Sequence, residues 1–450
     1  MDRRDFLKKA GFASAAGIMI GGKGMSAASY KRIIGANDRV NVGIIGYSDR
    51  FKGSLLPAFQ ANSAKMNFDI VGVSDLWKLR REEAKATLEA RLGHKVKTYL
   101  NNDQLYENKN IDAVIISTAD FQHALHVAEA AENGKDAYVE KPFAETMADA
   151  RKAKAAIEKA GTIVQVGSQR RSTPNYHAAN DYIRSGKFGD IAMVEMTWNV
   201  NQPGRWRRPG DVARLKKEDI DWNRYLMNRP WQDFDPRKYL EFRLFWPFSS
   251  GIPGQWMAHQ IDTVHWFTGY NYPRSVAANG GIYLWNDGRT NYDTMTAVLD
   301  YGPADNPNKG FQVLYSSRFT NSAGGTKEIY YSNGGELNLD TNMVTENGYL
   351  TERNAAEMGM KENKLERFSL AENVKINTDA NTGGDLMTTL HVLNWMECVR
   401  SRKQPNANYM AGYNHSVACI MVTAALRTHE FTVFDPATQE VMAGGKVFQY

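Results

Sequence analysis

The sequence predicts an α/β fold in two parts: a doubly wound parallel sheet with helices on both faces, then a strand-rich α+β domain. Three observations predict it. Short apolar, β-branched runs alternate with helical stretches between residues 40 and 167, and such alternation builds a parallel sheet through successive crossovers. Further strand-like runs follow in series between residues 275 and 332. A long apolar-faced helical stretch, YNHSVACIMVTAALRTHE, comes near the end.

Taken in order, VNVGIIG (40–46) is a short buried strand. A turn bearing serine and glycine follows, then SLLPAFQA with an apolar helical face. FDIVGVSD is a second buried strand ending at Asp75, and WKLRREEAKATLEARL is a charged helix. IDAVIIST (111–118) is the third strand, and FQHALHVAEAAENG is a helix closed by Gly134. DAYVEKP is a short strand running into Lys141 and Pro142. MADARKAKAAIEKAG is a helix stopped by Gly161, and TIVQVG is a further strand. In the second half SVAANGGIYLW, MTAVLDYG, FQVLYSSRF and KEIYYS are strands. The first domain is placed at 38–162 and the second at 163–450.

A parallel sheet of this kind offers its first turn to a dinucleotide pyrophosphate, because free N–H groups at a helix N-terminus attract phosphate. The glycine signal is imperfect. A G-x-G-x-x-G run starting at Gly46 has Ser48 and Phe51 where glycines belong, and the next glycine is Gly53. Ser48 is small enough for close backbone approach, and its hydroxyl is a phosphate donor. Asp75 closes the second strand where a ribose-binding acid belongs; the alternative is a cap on the following helix. An acid there repels a 2′-phosphate, so NAD is favoured over NADP.

The 55 basic residues are nearly balanced by 50 acidic ones, and the arginine pairs Arg170-Arg171 and Arg207-Arg208 are scattered. A nucleic-acid partner needs a concentrated basic patch, so none is expected. The opening MDRRDFLKKAGFASAAGIMIGG has the layout of a twin-arginine export signal: Arg3 and Arg4, then Phe6, Leu7 and Lys8, then a weakly apolar run. That run is short of the roughly 20 apolar residues of a membrane span. Residues 1–30 are therefore set aside as signal and lead. The protein is expected to leave folded through the twin-arginine machinery and to work in the periplasm. Cys398 and Cys419 both fall in helical patterns and are expected to be free, buried thiols.

GQWMAHQID (254–262) puts Gln255, His259 and Asp262 close to one helical face. An unperturbed histidine pKa near 6.5 suits proton removal at neutral pH. Metal ligation with Asp262 and His265, or a hydrogen-bonded core histidine, are the alternatives.

Together VGIIG (42–46), Asp75, IDAVIISTADFQH (111–123), YVEKPFAET (138–146), QVGSQRRSTPNY (165–176) and GQWMAHQIDTVHW (254–266) resemble the Gfo/Idh/MocA family of sugar and inositol oxidoreductases. NWMECVRSRKQPNA (394–407) and FDPATQEV (434–441) extend the resemblance to the C-terminus. It implies a Rossmann dinucleotide-binding domain followed by an α+β domain with a large open, mainly antiparallel sheet. One face of such a sheet needs covering, so a homo-oligomer, dimer or tetramer, is expected.

The resemblance also implies roles. Gly46, Ser48, Asp49, Arg50, Asp75, Thr118, Asp120, His123, Glu140, Lys141 and Gln169 would hold the NAD cofactor. Lys141 would sit between nicotinamide and substrate, and His259 would be the general base. Arg171, Tyr176, Trp206 and Gln255 would bind the carbohydrate substrate, with Arg170 and Asn175 as further hydroxyl binders. No metal is expected. One departure stands out: many family dehydrogenases have an aspartate four residues before the histidine, and this chain has Gln255. An amide orients a histidine but does not raise its pKa as a carboxylate does.

The function expected is a nicotinamide-dependent oxidoreductase acting on a hydroxyl of a sugar or sugar derivative. Free NAD is scarce outside the cytoplasm, so the cofactor is expected to stay bound between turnovers. The alternatives are a redox-neutral glycoside hydrolase working by oxidation, elimination and reduction, and a nucleotide-binding protein without turnover. The family's N-acetylgalactosaminidase branch lacks the EKP lysine, which this chain keeps.

Overall fold

The structure is a computed structural model, describing residues 39–370 and 385–450; the stretch expected to be an export signal lies outside the described residues. The first sheet contains β1 Val40–Ile45, β2 Phe68–Ser74, β3 Lys97–Tyr99, β4 Ala113–Ile116, β5 Asp136–Val139 and β6 Val164–Val166. They are all parallel, in the order β3-β2-β1-β4-β5-β6. The order reverses between β1 and β4, which opens a crevice at the strands' carboxyl ends. The connecting helices are α1 Leu56–Met66, α2 Lys78–Leu92, α3 Asn102–Glu107, α4 His123–Glu132 and α5 Met147–Ala160. α5 shows how local chemistry sets the ends. The Thr146 hydroxyl accepts from Asp149 N, and Gly161 stops the helix at φ 65°.

The second sheet is mixed, with eleven strands. They are β7 Ile191–Asn199, β8 Ser275–Gly281, β9 Thr294–Tyr301, β10 Phe311–Arg318, β11 Thr326–Ser332, β12 Gly335–Asn338, β13 Met343–Thr345, β14 Phe368–Ser369, β15 Thr432–Asp435, β16 Glu440–Ala443 and β17 Lys446–Val447. Only β7 and β10 pair in parallel; every other neighbouring pair is antiparallel. In β10 buried Phe311, Val313, Tyr315 and Ser317 alternate with more exposed residues, so one face is packed. Against it lie α6 Pro174–Arg184, α7 Ala258–Thr268 and α9 Tyr409–Thr428.

A further helix, α8 Leu386–Ser401, returns to the first sheet. Its Trp395, Met396 and Val399 share a core with Val42, Ile44, Phe59 and Tyr138. Asn62 Nδ2 donates to Thr389 O at 3.1 Å across the same seam. The two halves are therefore interlocked. Both cysteines are free and buried. Among the described residues no helix is long and apolar enough to cross a membrane.

Candidate active site

A cleft of about 670 Å³ opens at the carboxyl ends of the first sheet and is roofed by the second half of the chain. β1 runs into Gly46 at φ +84°, where a Cβ would meet Thr118 Cγ2 at 2.8 Å and Ser117 O at 3.0 Å. Only glycine fits this turn. Ser48 Oγ accepts from Phe51 N at 3.2 Å, so it caps the first turn of the segment leading into α1. Asp49 sits at the rim, where Arg208 reaches it at 3.1 Å and Lys52 at 3.2 Å. At the end of β2, Asp75 accepts from Tyr47 N at 2.8 Å and Trp77 N at 2.9 Å. It thus braces two turns and still faces the cleft.

Deeper in, Thr118, His123, Glu140, Lys141 and His259 line one end. His123 Nδ1 is 2.8 Å from Pro142 O, which fixes its ring. Arg50 donates to Glu140 at 2.9 Å. Burial would raise the Glu140 carboxyl, but Arg50 outweighs it and holds the group below its usual range. Lys141 Nζ donates to Gln255 O at 2.6 Å. Burial pulls its pKa down to about 8, against the pull of Asp120 and Glu140. His259 has no hydrogen-bond partner among the described residues, and its ring lies 5.8 Å from that of Trp198. Burial, then the charges of Lys141, Arg170 and Arg50, push its pKa well below the ordinary value. At neutral pH the imidazole is neutral and open to the cleft, as a proton acceptor must be.

Several expected positions lie elsewhere. Arg171 is locked on Asp262 at 2.7 Å, with its guanidinium over the Trp266 ring. Tyr176 is buried with its hydroxyl 3.3 Å from Glu328. Arg170 pairs with the same Glu328, and Asn175 bonds Asn342 at 2.7 Å. None of the four lines the cleft. The reason is common to all: the strand-exit segment 169–176 turns under α7 rather than into the cleft. Gln169 is likewise buried outside the lining. Asp120 lies beneath the lining, accepting from Ser249 Oγ at 2.6 Å and from Gln255 Nε2. Its link to the cleft lining runs through Gln255.

The helical-face argument for Gln255, His259 and Asp262 holds for the first two, which both line the cleft, and not for Asp262. Residues Pro253–Met257 form a π-helical turn ahead of α7. Gln255 points to Asp120 and to Arg243, whose Nε donates to Gln255 Oε1 at 2.8 Å. Asp262 faces Arg171. His265 bonds Tyr301 at 2.8 Å in the core. Among the described residues no group of three or more His, Cys, Asp or Glu side chains is arranged to hold a metal.

Trp206 does line the cleft, 5.8 Å from the ring of Trp256. Beside it are residues that the sequence did not single out: Arg80, Trp198, Arg205, Arg208, Tyr239, Arg243 and Trp256. Most belong to the stretch 200–245, which folds back over the first domain. Gln122 Nε2 donates to Tyr225 O at 2.8 Å, and Tyr239 reaches Asp75 at 3.4 Å. The aromatic and arginine density of GRWRRPG (204–210) was the available signal.

Residues 40–168 match the family model GFO_IDH_MocA, described as an oxidoreductase family with an NAD-binding Rossmann fold. The first domain is an NAD-binding Rossmann domain. The chain is 38% identical over 86 residues to scyllo-inositol 2-dehydrogenase (NAD(+)) of Bacillus subtilis, covering 19% of this chain and 25% of that protein. It is 26% identical over 215 residues to inositol 2-dehydrogenase of Salmonella paratyphi B, covering 47% and 60%. The matches thus span a quarter to three-fifths of those relatives' lengths. The fold resembles that of levoglucosan dehydrogenase, solved with NADH and levoglucosan, at TM-score 0.62 and 15% identity, over 88% of this chain and 99% of the other.

The Rossmann domain fits its dinucleotide. Gly46 lets the first turn pack tightly on Ser117 and Thr118, and Gly53, in the cleft lining, has nothing within 4 Å of its Cβ position and so leaves open space there. Thr118 Oγ1, in the cleft lining, is buried without a hydrogen-bond partner among the described residues.

Proposed function

We propose that the protein is an NAD-dependent oxidoreductase acting on a hydroxyl of a sugar or sugar derivative. The observation that carries the reading is the meeting of Lys141 and His259 at the inner end of a dinucleotide cleft. When bound there, nicotinamide supplies a hydride acceptor or donor. The Lys141 ammonium donates to the reacting oxygen and favours its alkoxide character. His259 takes the hydroxyl proton, so that proton and hydride leave the carbinol together as a carbonyl forms. Gln255 holds the lysine through its carbonyl, and Asp120 and Arg243 hold the Gln255 side chain. The Trp198–Trp256–Trp206 wall gives a sugar ring an apolar platform and excludes water.

Export by the twin-arginine route, with the nucleotide already seated, belongs to the same proposal, and so does assembly into a homo-oligomer. The strap of residues 200–245 over the cleft supports retention, since Arg208 of the strap pairs with Asp49 of the nucleotide loop. The test is product analysis. The protein and NAD are incubated with free sugars and glycosides, and products are examined by mass spectrometry. Loss of two hydrogens from the sugar supports the proposal. Free sugar released from a glycoside without net oxidation would replace it with the hydrolase.

A further inference from the structure

Beyond Lys141 and His259 the cleft wall changes character. Trp198 stacks on Trp256 with ring centroids 5.8 Å apart, and Trp206 turns toward the same ring from a backbone at φ 67°. Two guanidiniums stand among these rings. Arg205 lies 5.2 Å over the face of Trp256, and Arg243 hangs from Gln255 Oε1 at 2.8 Å. Both line the cleft.

Arg205 donates to Gln202, and the electrostatic setting of Arg243 is unusual for this molecule. Neighbouring arginines of the strap meet carboxylates: Arg207 has Glu241 at 3.0 Å, Arg208 has Asp49 at 3.1 Å, and Arg237 has Glu241 at 2.8 Å. Arg243 makes no ion pair among the described residues. The acid that acts on it most strongly is Asp120, ahead of Asp49 and Glu140; Asp120 is fully buried behind the lining and already accepts from Ser249 and Gln255. Burial, then Arg243 and Arg208, push Arg205 down to about 10. Like charges packed into a half-buried wall destabilise one another until an anion arrives. A neutral sugar leaves them crowded, whereas a carboxylate answers the planar fork of an arginine directly.

We propose that this wall is a carboxylate subsite, and that the substrate is a sugar acid. Its ring rests on Trp206 and Trp256, its carboxylate meets Arg243 with Arg205 beside it, and its carbinol turns toward Lys141 and His259. The proposal rests on the oxidoreductase reading for its substrate class, but binding tests it without turnover.

The NAD-loaded protein is titrated with glucuronate, glucose and glucose 6-phosphate, following tryptophan fluorescence or heat. Glucuronate is expected to bind at least about tenfold more tightly than glucose, from charge-assisted bonds. Arg243→Met is expected to remove that preference, weakening glucuronate at least about tenfold more than glucose; Arg243→Lys, which keeps the charge but loses the fork, restores part of it. Equal binding of glucuronate and glucose by the wild type overturns the proposal. So does a preference for the phosphate ester over the carboxylate. Weaker NAD binding by Arg243→Met with the sugar preference intact would assign the arginine to the cofactor's phosphates and overturn it too. Preferential glucuronate binding without oxidation would leave the subsite standing and remove the hydride-transfer reading.

Discussion

Lys141 donates to the backbone carbonyl of Gln255 across 2.6 Å. This bond fastens the loop after β5 to the π-helical turn that launches α7, the helix of His259. One side chain therefore sets both its own position and the approach of the base. Lys141→Met is expected to lower kcat by about 100- to 10,000-fold, the range for losing a positioned proton-transfer group. NAD binding, followed by nucleotide fluorescence, is expected to persist. Wild-type turnover would remove Lys141 from the chemistry.

The pH profile separates the two groups. His259 is held well below its ordinary value, so the neutral form needed for proton removal is already present at pH 6.5. Lys141, held at about 8, loses its donor proton above that pH. In the oxidation direction kcat/KM is expected to be flat across pH 6 to 7 and to fall above about 8. His259→Gln should abolish turnover without moving NAD affinity. An acid limb near 6.5 would show that the histidine is not shielded as described.

Asp75 accepts from two backbone N–H groups and faces the cleft. Asp75→Asn keeps an acceptor for one of the two backbone N–H groups now bonded to it and removes the charge. The ratio of NADP to NAD affinity is expected to rise by about tenfold or more, on the scale of one charged contact. An unchanged ratio, measured by fluorescence quenching, makes Asp75 a turn brace alone.

Arg170 and Arg171 are expected to serve stability rather than substrate. Arg170→Ala strands the buried Glu328, and Arg171→Ala strands the buried Asp262. Arg171→Ala is expected to cost about 3–5 kcal/mol in denaturant unfolding, because an unpaired buried charge remains; Arg170→Ala is expected to cost less, because burial already holds Glu328 up at about 7 and the carboxyl takes a proton instead. The KM for sugar should not move in protein that still folds. A raised KM with unchanged stability would return Arg171 to the substrate site.

The first domain was legible because its signals are local. Apolar runs such as VNVGII and IDAVIIS form strands whichever partner they meet, and Gly161 stops its helix by its own conformational freedom. β3, with three residues and one of them buried, left no periodicity to detect. The substrate wall was hidden for a different reason. Trp198 and Trp256 are 58 residues apart in sequence and stack only through tertiary packing. Gln255 could be seen as a departure, but its partners Asp120 and Arg243 come from other loops. Arg171 misled because a polar strand exit looks the same whether it faces a cleft or a buried acid.

The measurement that bears most directly on the account is single-turnover absorbance at the reduced-nicotinamide band, with NAD-loaded protein and a sugar acid. The band is expected to rise and to persist until a second sugar or ketone is added, and to stay flat in Lys141→Met and His259→Gln. A band that rises and decays by itself while free sugar appears from a glycoside would contradict it, as would no band with any sugar although nucleotide is bound.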